Sequence, residues 1–129
     1  MTTAPEAPPG NLPVQTFATA EHLEGWLREH HESSPGIWVR LYRSGSTQRT
    51  VTFIQLVEAT LAYGWSESRR RRYDNESYVQ LITPRKAKGT TSRRNRDIAA
   101  QLIAQGRMTP AGLAALGIQA DPGWVNTTT

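Results

Sequence analysis

The sequence predicts an α+β fold: a small antiparallel sheet, built from one strand and a β-hairpin, with about four helices packed against it. Three observations carry this. Four segments open with helix-capping side chains and continue with apolar residues at helical spacing, one six-residue segment alternates with a period of two, and two more strand-like runs flank an Asp-Asn turn. The order helix, strand, helix, hairpin, helix, helix favours an antiparallel sheet with helices laid against it.

The first helix starts after Thr19, and Leu23, Trp26 and Leu27 fall at i, i+3 and i+4 on one face that runs to about His31. Ile37, Val39 and Leu41 then alternate with Trp38, Arg40 and Tyr42, the pattern of a half-buried strand. Thr52 and Gln55 form a capping box, and Val51 against Leu56 has the spacing of a hydrophobic staple. Ile54, Val57 and Leu61 make the expected buried stripe of that helix, which Gly64 ends.

The hairpin is expected over residues 67–73 and 77–83, turning at Asp74-Asn75, because both residues tolerate the left-handed backbone of a tight turn. Val79 and Leu81 would share one side, and Tyr78, Gln80 and Ile82 the other. Ser92 is placed to cap a third helix, with Ile98, Ala99, Leu102 and Ile103 toward the core and Gly106 as its stop. Thr109 with Pro110 starts the fourth, where Met108 and Leu113 make another staple.

At 129 residues and 37% hydrophobic content the chain suits one core. Residues 1–14 carry Pro5, Pro8, Pro9 and Pro13 with little to bury, so they are expected to form a flexible tail; residues 15–117 make the domain, and 118–129 a second loose tail in which Trp124 is large enough to dock. The absence of cysteine removes disulfides and thiolate chemistry. With no signal-like start and no apolar run long enough to span a bilayer, the expectation is a cytoplasmic protein without membrane insertion.

Charge is the strongest functional signal. Residues 69–96 hold ten of the fifteen basic residues and two acids, Asp74 and Glu76, so this segment is +8 while the chain as a whole is +4. On a strand, Arg69 to Arg72 would split into two pairs on opposite faces. Two readings stay open: a solvated edge strand kept soluble by charge, or an anion-binding face. The second reading names Arg70, Arg72, Arg85, Lys86, Lys88, Ser92, Arg93 and Arg94, because the loop 83–92 brings cations and hydroxyls to a helix N-terminus, where free N–H groups favour phosphate or carboxylate. Ser92 also reads as a plain N-cap. The loop is not a Walker A sequence, and no nucleotide fingerprint or catalytic triad occurs.

Other candidate chemistry is thin. His30, His31 and Glu32 lack metal-ligand spacing, so no metal or cofactor is expected. Glu67 and Asp74 could flank Trp65 as a carboxylate pair, although an arginine-rich setting keeps carboxylates ionised and argues for ion pairing. Trp38, Tyr63, Trp65, Tyr73 and Tyr78 offer either stacking surface or core.

The series Trp26-Leu27 with His30, Pro35-Gly36-Ile37-Trp38-Val39, Tyr63-Gly64-Trp65 with Glu67, Asp74, Tyr78, Thr83-Pro84-Arg85, Ser92, Asn95 and Gly106-Arg107-Met108-Thr109 with Gly112 resembles the YdeI/OmpD-associated family, also described as bacteriocin-protection proteins. The resemblance runs over about residues 17–117. Two positions depart: Gly64-Trp65-Ser66-Glu67 stands where that family reads Gly-Trp-Ile-Asp, and Gly89-Thr90-Thr91-Ser92 where it reads Ser-x-Trp-Ser. The resemblance implies a role in envelope-stress or bacteriocin protection, and no reaction. Together these features suggest a non-enzymatic protein that binds an anionic partner, nucleic acid or a phosphorylated ligand. The alternatives are a protein-interaction factor, or an enzyme holding a small anionic substrate at Arg85, Ser92 and Asn95 in a closed pocket beside Trp65.

Overall fold

The structure is a computed structural model and describes residues 12–85 and 92–117. Its elements are β1 (Val14–Thr16), α1 (Ala20–His30), β2 (Ile37–Tyr42), α2 (Phe53–Ala62), β3 (Trp65–Arg72), β4 (Ser77–Pro84), α3 (Arg93–Ala104) and α4 (Pro110–Ala115). The sheet has the order β1-β2-β4-β3, antiparallel except that β1 runs parallel to β2. This is the α+β architecture the sequence predicts, a mostly antiparallel sheet with four helices packed against it.

Each helix starts where its cap lies. Thr19, Thr52, Ser92 and Thr109 accept the backbone N–H groups of His22, Gln55, Asn95 and Gly112, which satisfies donors that a helix end leaves free. At α2 the box is complete, since Gln55 Oε1 accepts the Thr52 N–H at 3.0 Å in return. Gly64 ends that helix with φ +77°, and a Cβ there would lie 2.7 Å from the Ala111 carbonyl, so glycine serves both the turn and the close approach of α4.

The core has two parts. Leu23, Leu27, Leu56 and Ala59 of α1 and α2 close over Ile37, Val39, Leu41, Trp65 and Ile82 of the sheet. Val57, Leu61 and Ala62 on the other side of α2 meet Ala99, Leu102 and Leu116, with Ile98 partly buried against them. Helix α2 is therefore sandwiched, and one expectation fails there: Ile54 is 49% exposed. Ile54 shares its helix face with Leu61 two turns later, but α3 and α4 seal only the later turns.

Two further expectations are corrected. Pro13 and Val14 are not tail: the Pro13 carbonyl accepts the Trp38 N–H at 2.9 Å, and Val14 pairs with Trp38 at the start of an added edge strand. Strand β2 is not half-buried throughout either. Trp38 is fully buried, while Arg40 and Tyr42 on the same face remain partly exposed. Residues 1–11 and 118–129, including Trp124, lie outside the described residues. No helix among the described residues is long and apolar enough to cross a membrane.

Candidate anion-binding site

A break in strand register decides which arginines meet the helices. Glu67 pairs with Ile82 and Arg70 with Gln80, so Ser68 and Arg69 together stand against the single residue Leu81, a β-bulge. Strict alternation would put Arg69 and Arg71 on the face of Glu67. The extra residue puts Arg70 and Arg72 there instead. Gln80 holds the bulge shut: its Nε2 donates to the Arg69 carbonyl at 2.8 Å, and its Oε1 accepts from Arg70 Nε at 3.3 Å. A side-chain amide that is 2% exposed needs such partners, and these two use both of its ends.

From the bulge, Arg70 reaches two rings. Its guanidinium carbon lies 4.3 Å from the centroid of Tyr78 and 5.0 Å from that of Phe53. Arg43, just after β2, approaches Tyr78 to 5.3 Å, and Arg94, near the start of α3, approaches Phe53 to 6.0 Å. The result is a row, Arg43, Tyr78, Arg70, Phe53, Arg94, in which cations alternate with aromatic rings within cation–π range. Five elements build it: the end of β2 and β4 bring Arg43 and Tyr78, β3 brings Arg70, and the N-termini of α2 and α3 bring Phe53 and Arg94.

One carboxylate is bonded into the Arg94 end. Glu67 Oε1 accepts from Arg94 Nη2 at 3.3 Å, and the same guanidinium donates to Asn95 Oδ1 through Nε at 3.1 Å and Nη2 at 2.9 Å. Arg85 approaches Glu67 from the end of β4, where its backbone N–H donates to the Gly64 carbonyl at 3.0 Å. Burial lowers the pKa of the Arg85 guanidinium, and the Glu67 charge opposes that shift. Glu67 thus serves two guanidiniums, Arg85 and Arg94, and stands at the opposite end of the row from Arg43.

Of the residues proposed for anion binding from the sequence, Arg70, Arg85 and Arg94 come together here. Arg72 does not join them, because its Nη2 donates to Asn75 Oδ1 at 2.5 Å in the hairpin turn. Ser92 accepts the Asn95 N–H at 3.2 Å and so acts as the helix cap. Arg93 is the exposed first residue of α3, and Lys86 and Lys88 lie outside the described residues. Sequence reading did not single out Arg43, Phe53 or Gln80. Phe53 is the first residue of α2, directly after the capping Thr52.

The motif residues divide between this site and the framework. Trp65 is 1% exposed, donates its indole N–H to the His31 carbonyl at 3.2 Å and meets Trp26 edge-on at 5.7 Å. Trp65 and the fully buried Trp38 are therefore core and present no stacking surface. Thr83 and Pro84 pair with Ser66 and Trp65, Gly106 turns the chain after α3 with φ +71°, and Met108 packs on the second core. Glu67 and Asp74 are not a pair flanking Trp65. Asp74 binds Arg40 Nη2 at 2.6 Å at the far end of the hairpin, where the Arg40 guanidinium also covers the rings of Tyr42 and Tyr73. The Ser77 hydroxyl above all, then the Glu76 N–H and the Arg40 charge, hold the Asp74 carboxyl below the usual aspartate range. Among the described residues no three His, Asp or Glu side chains gather closely enough to hold a metal.

Beside the row, between Phe53 and Tyr78, opens a cleft of about 620 Å³ with Leu41 and Val51 in its lining and Arg43 and Thr50 among its polar groups. No curated protein and no solved structure matches the chain. The family of the domain of unknown function DUF8412 matches residues 15–115, which take in the helices, the hairpin and every member of the arginine row. The chain belongs to the DUF8412 family.

Proposed function

We propose that the protein is a non-enzymatic binder of a phosphate-bearing polyanion, with nucleic acid the first candidate, and that Arg43, Arg70, Arg85 and Arg94 make the contact. The observation that carries this reading is the guanidinium of Arg70 against both Tyr78 and Phe53. A ring holds a guanidinium by its flat face and leaves in-plane N–H donors for a phosphate, in the bidentate geometry that arginine favours. Because the rings fix the side chains beforehand, less conformational freedom is lost on binding. A cytoplasmic setting is part of this proposal.

Two measurements test it together. The purified protein is expected to carry nucleic acid, seen as a raised 260 to 280 nm absorbance ratio that drops in high salt. Its affinity for a short oligonucleotide should fall linearly with log salt, the signature of counterion release. Absence of binding at low salt would remove the proposal.

The resemblance to YdeI/OmpD-associated proteins supports a second reading, an acidic protein partner in envelope-stress or bacteriocin protection. Ile54 favours it, as a large apolar side chain 49% exposed next to Phe53 in sequence. An acidic protein recovered from lysate by pull-down after nuclease treatment is the result this reading expects.

A further inference from the structure

The row of arginines accounts for phosphates, but it leaves the cleft at its Arg43 end without a use. That cleft shares Arg43, Phe53 and Tyr78 with the row, so whatever lies along the guanidiniums also passes its mouth. Leu41 and Val51 are buried, and the two rings stand in the lining above them, with the hydroxyls of Ser44, Thr50 and Thr52 among the polar groups. A solvent-open cleft of about 620 Å³, lined by polar groups as well as by rings, falls in the size range of small-molecule sites. It is several times too large to be a phosphate subsite alone.

We infer that the cleft receives a nucleobase of single-stranded nucleic acid whose backbone phosphates lie on Arg43, Arg70 and Arg94. The inference rests on the phosphate-binding reading above. Arg70 already occupies a place against each ring, so bases cannot stack along the whole row as they do on an open aromatic platform. One base enters at the end, and the remaining contacts are to the backbone. A base held in a duplex is paired and stacked and cannot turn into the cleft, so single strands are selected over duplexes by shape.

The test compares three probes in the same buffer: a fluorescein-labelled oligothymidylate, the same strand annealed to its complement, and inorganic polyphosphate as competitor. The single strand should bind about tenfold more tightly than the duplex, a ratio within the range that one base–aromatic contact supplies. Ser44 is exposed and lines the cleft, and Ser44→Leu narrows it without touching a guanidinium. This variant should bring single-strand affinity down to the duplex value and leave competition by polyphosphate unchanged. Equal binding of single strand and duplex, or no response to Ser44→Leu at an unchanged melting temperature, overturns the inference while the phosphate reading stands. Failure of all three probes to bind removes both.

Discussion

Gln80 grips Arg70 from the neighbouring strand: one end of its buried amide accepts the Arg70 Nε–H, and the other donates to the carbonyl of Arg69. The pair ties the backbone irregularity of β3 to the position of the cation that touches both rings. Changing the amide should therefore alter stability and ligand binding at once. Gln80→Leu keeps the volume but leaves the Arg69 carbonyl without its donor, at a cost of about 1–3 kcal/mol. Urea unfolding and phosphate competition should both shift, and an unchanged midpoint would show that the bulge does not depend on Gln80.

Arg85 and Arg69 separate a positioned arginine from a decorative one. Arg85 is half-buried in the neighbourhood of Glu67, whereas Arg69 is exposed at the bulge. Arg85→Ala should weaken oligonucleotide binding and lower the melting temperature, because it leaves Glu67 with one guanidinium fewer. Arg69→Ala should change stability by less than about 0.5 kcal/mol and weaken binding less than Arg85→Ala. If Arg85→Ala lost stability with affinity intact, that guanidinium would be a folding device for Glu67.

The Asp74 carboxyl makes a pH-dependent contribution at the hairpin turn. Its folded pKa is depressed, so the stabilisation is fully present above the usual aspartate value and is lost as pH falls through the folded value. The Asp74 side chain is 36% exposed, so the amount is under about 1 kcal/mol. Asp74→Asn should be less stable than the parent chain at neutral pH, and the gap should close in acid. A gap that stays constant with pH would assign the effect to the amide's geometry and not to charge.

Gly112 lets α4 lie against the end of α2. A Cβ at this position would overlap the carbonyl oxygens of Leu61 and Ala62 and the sulfur of Met108, and backbone carbonyls cannot give way as a side chain can. Gly112→Ala should cost about 1–3 kcal/mol and lower the melting temperature by several degrees. Oligonucleotide affinity of the folded protein should stay unchanged. An unaltered melting temperature would mean that α4 can slide on α2.

The helices were legible because their signals are local: Thr19, Thr52, Ser92 and Thr109 each cap a helix within three residues of their own position. The hairpin was legible for the same reason, from Asp74-Asn75 and the alternation around it. Strand β1 was not, since three residues after a proline carry no periodicity and their pairing with β2 is made across the whole of α1. The bulge was hidden too, because nothing in Ser68-Arg69 announces it and the buried amide that holds it comes from Gln80 on the next strand. Charge pointed to residues 69–96, which hold Arg70, Arg85 and Arg94. Which arginines converge depends on Phe53 and Tyr78, and Arg43 joins them from well outside the basic segment.

The central claim is that Arg70, seated on Tyr78 and Phe53, contacts a phosphate. Its most direct test is the slope of log affinity against log salt for a short oligonucleotide, measured for the parent chain, for Arg70→Ala and for Arg107→Ala. Arg107 is bound instead to Glu24 at 3.5 Å and Glu58 at 3.3 Å, away from the row, and serves as the control arginine. The account predicts that Arg70→Ala weakens binding and makes the slope shallower by about one, while Arg107→Ala leaves the slope as it was. An identical slope for Arg70→Ala and the parent chain, or an equal loss at Arg107, would contradict it.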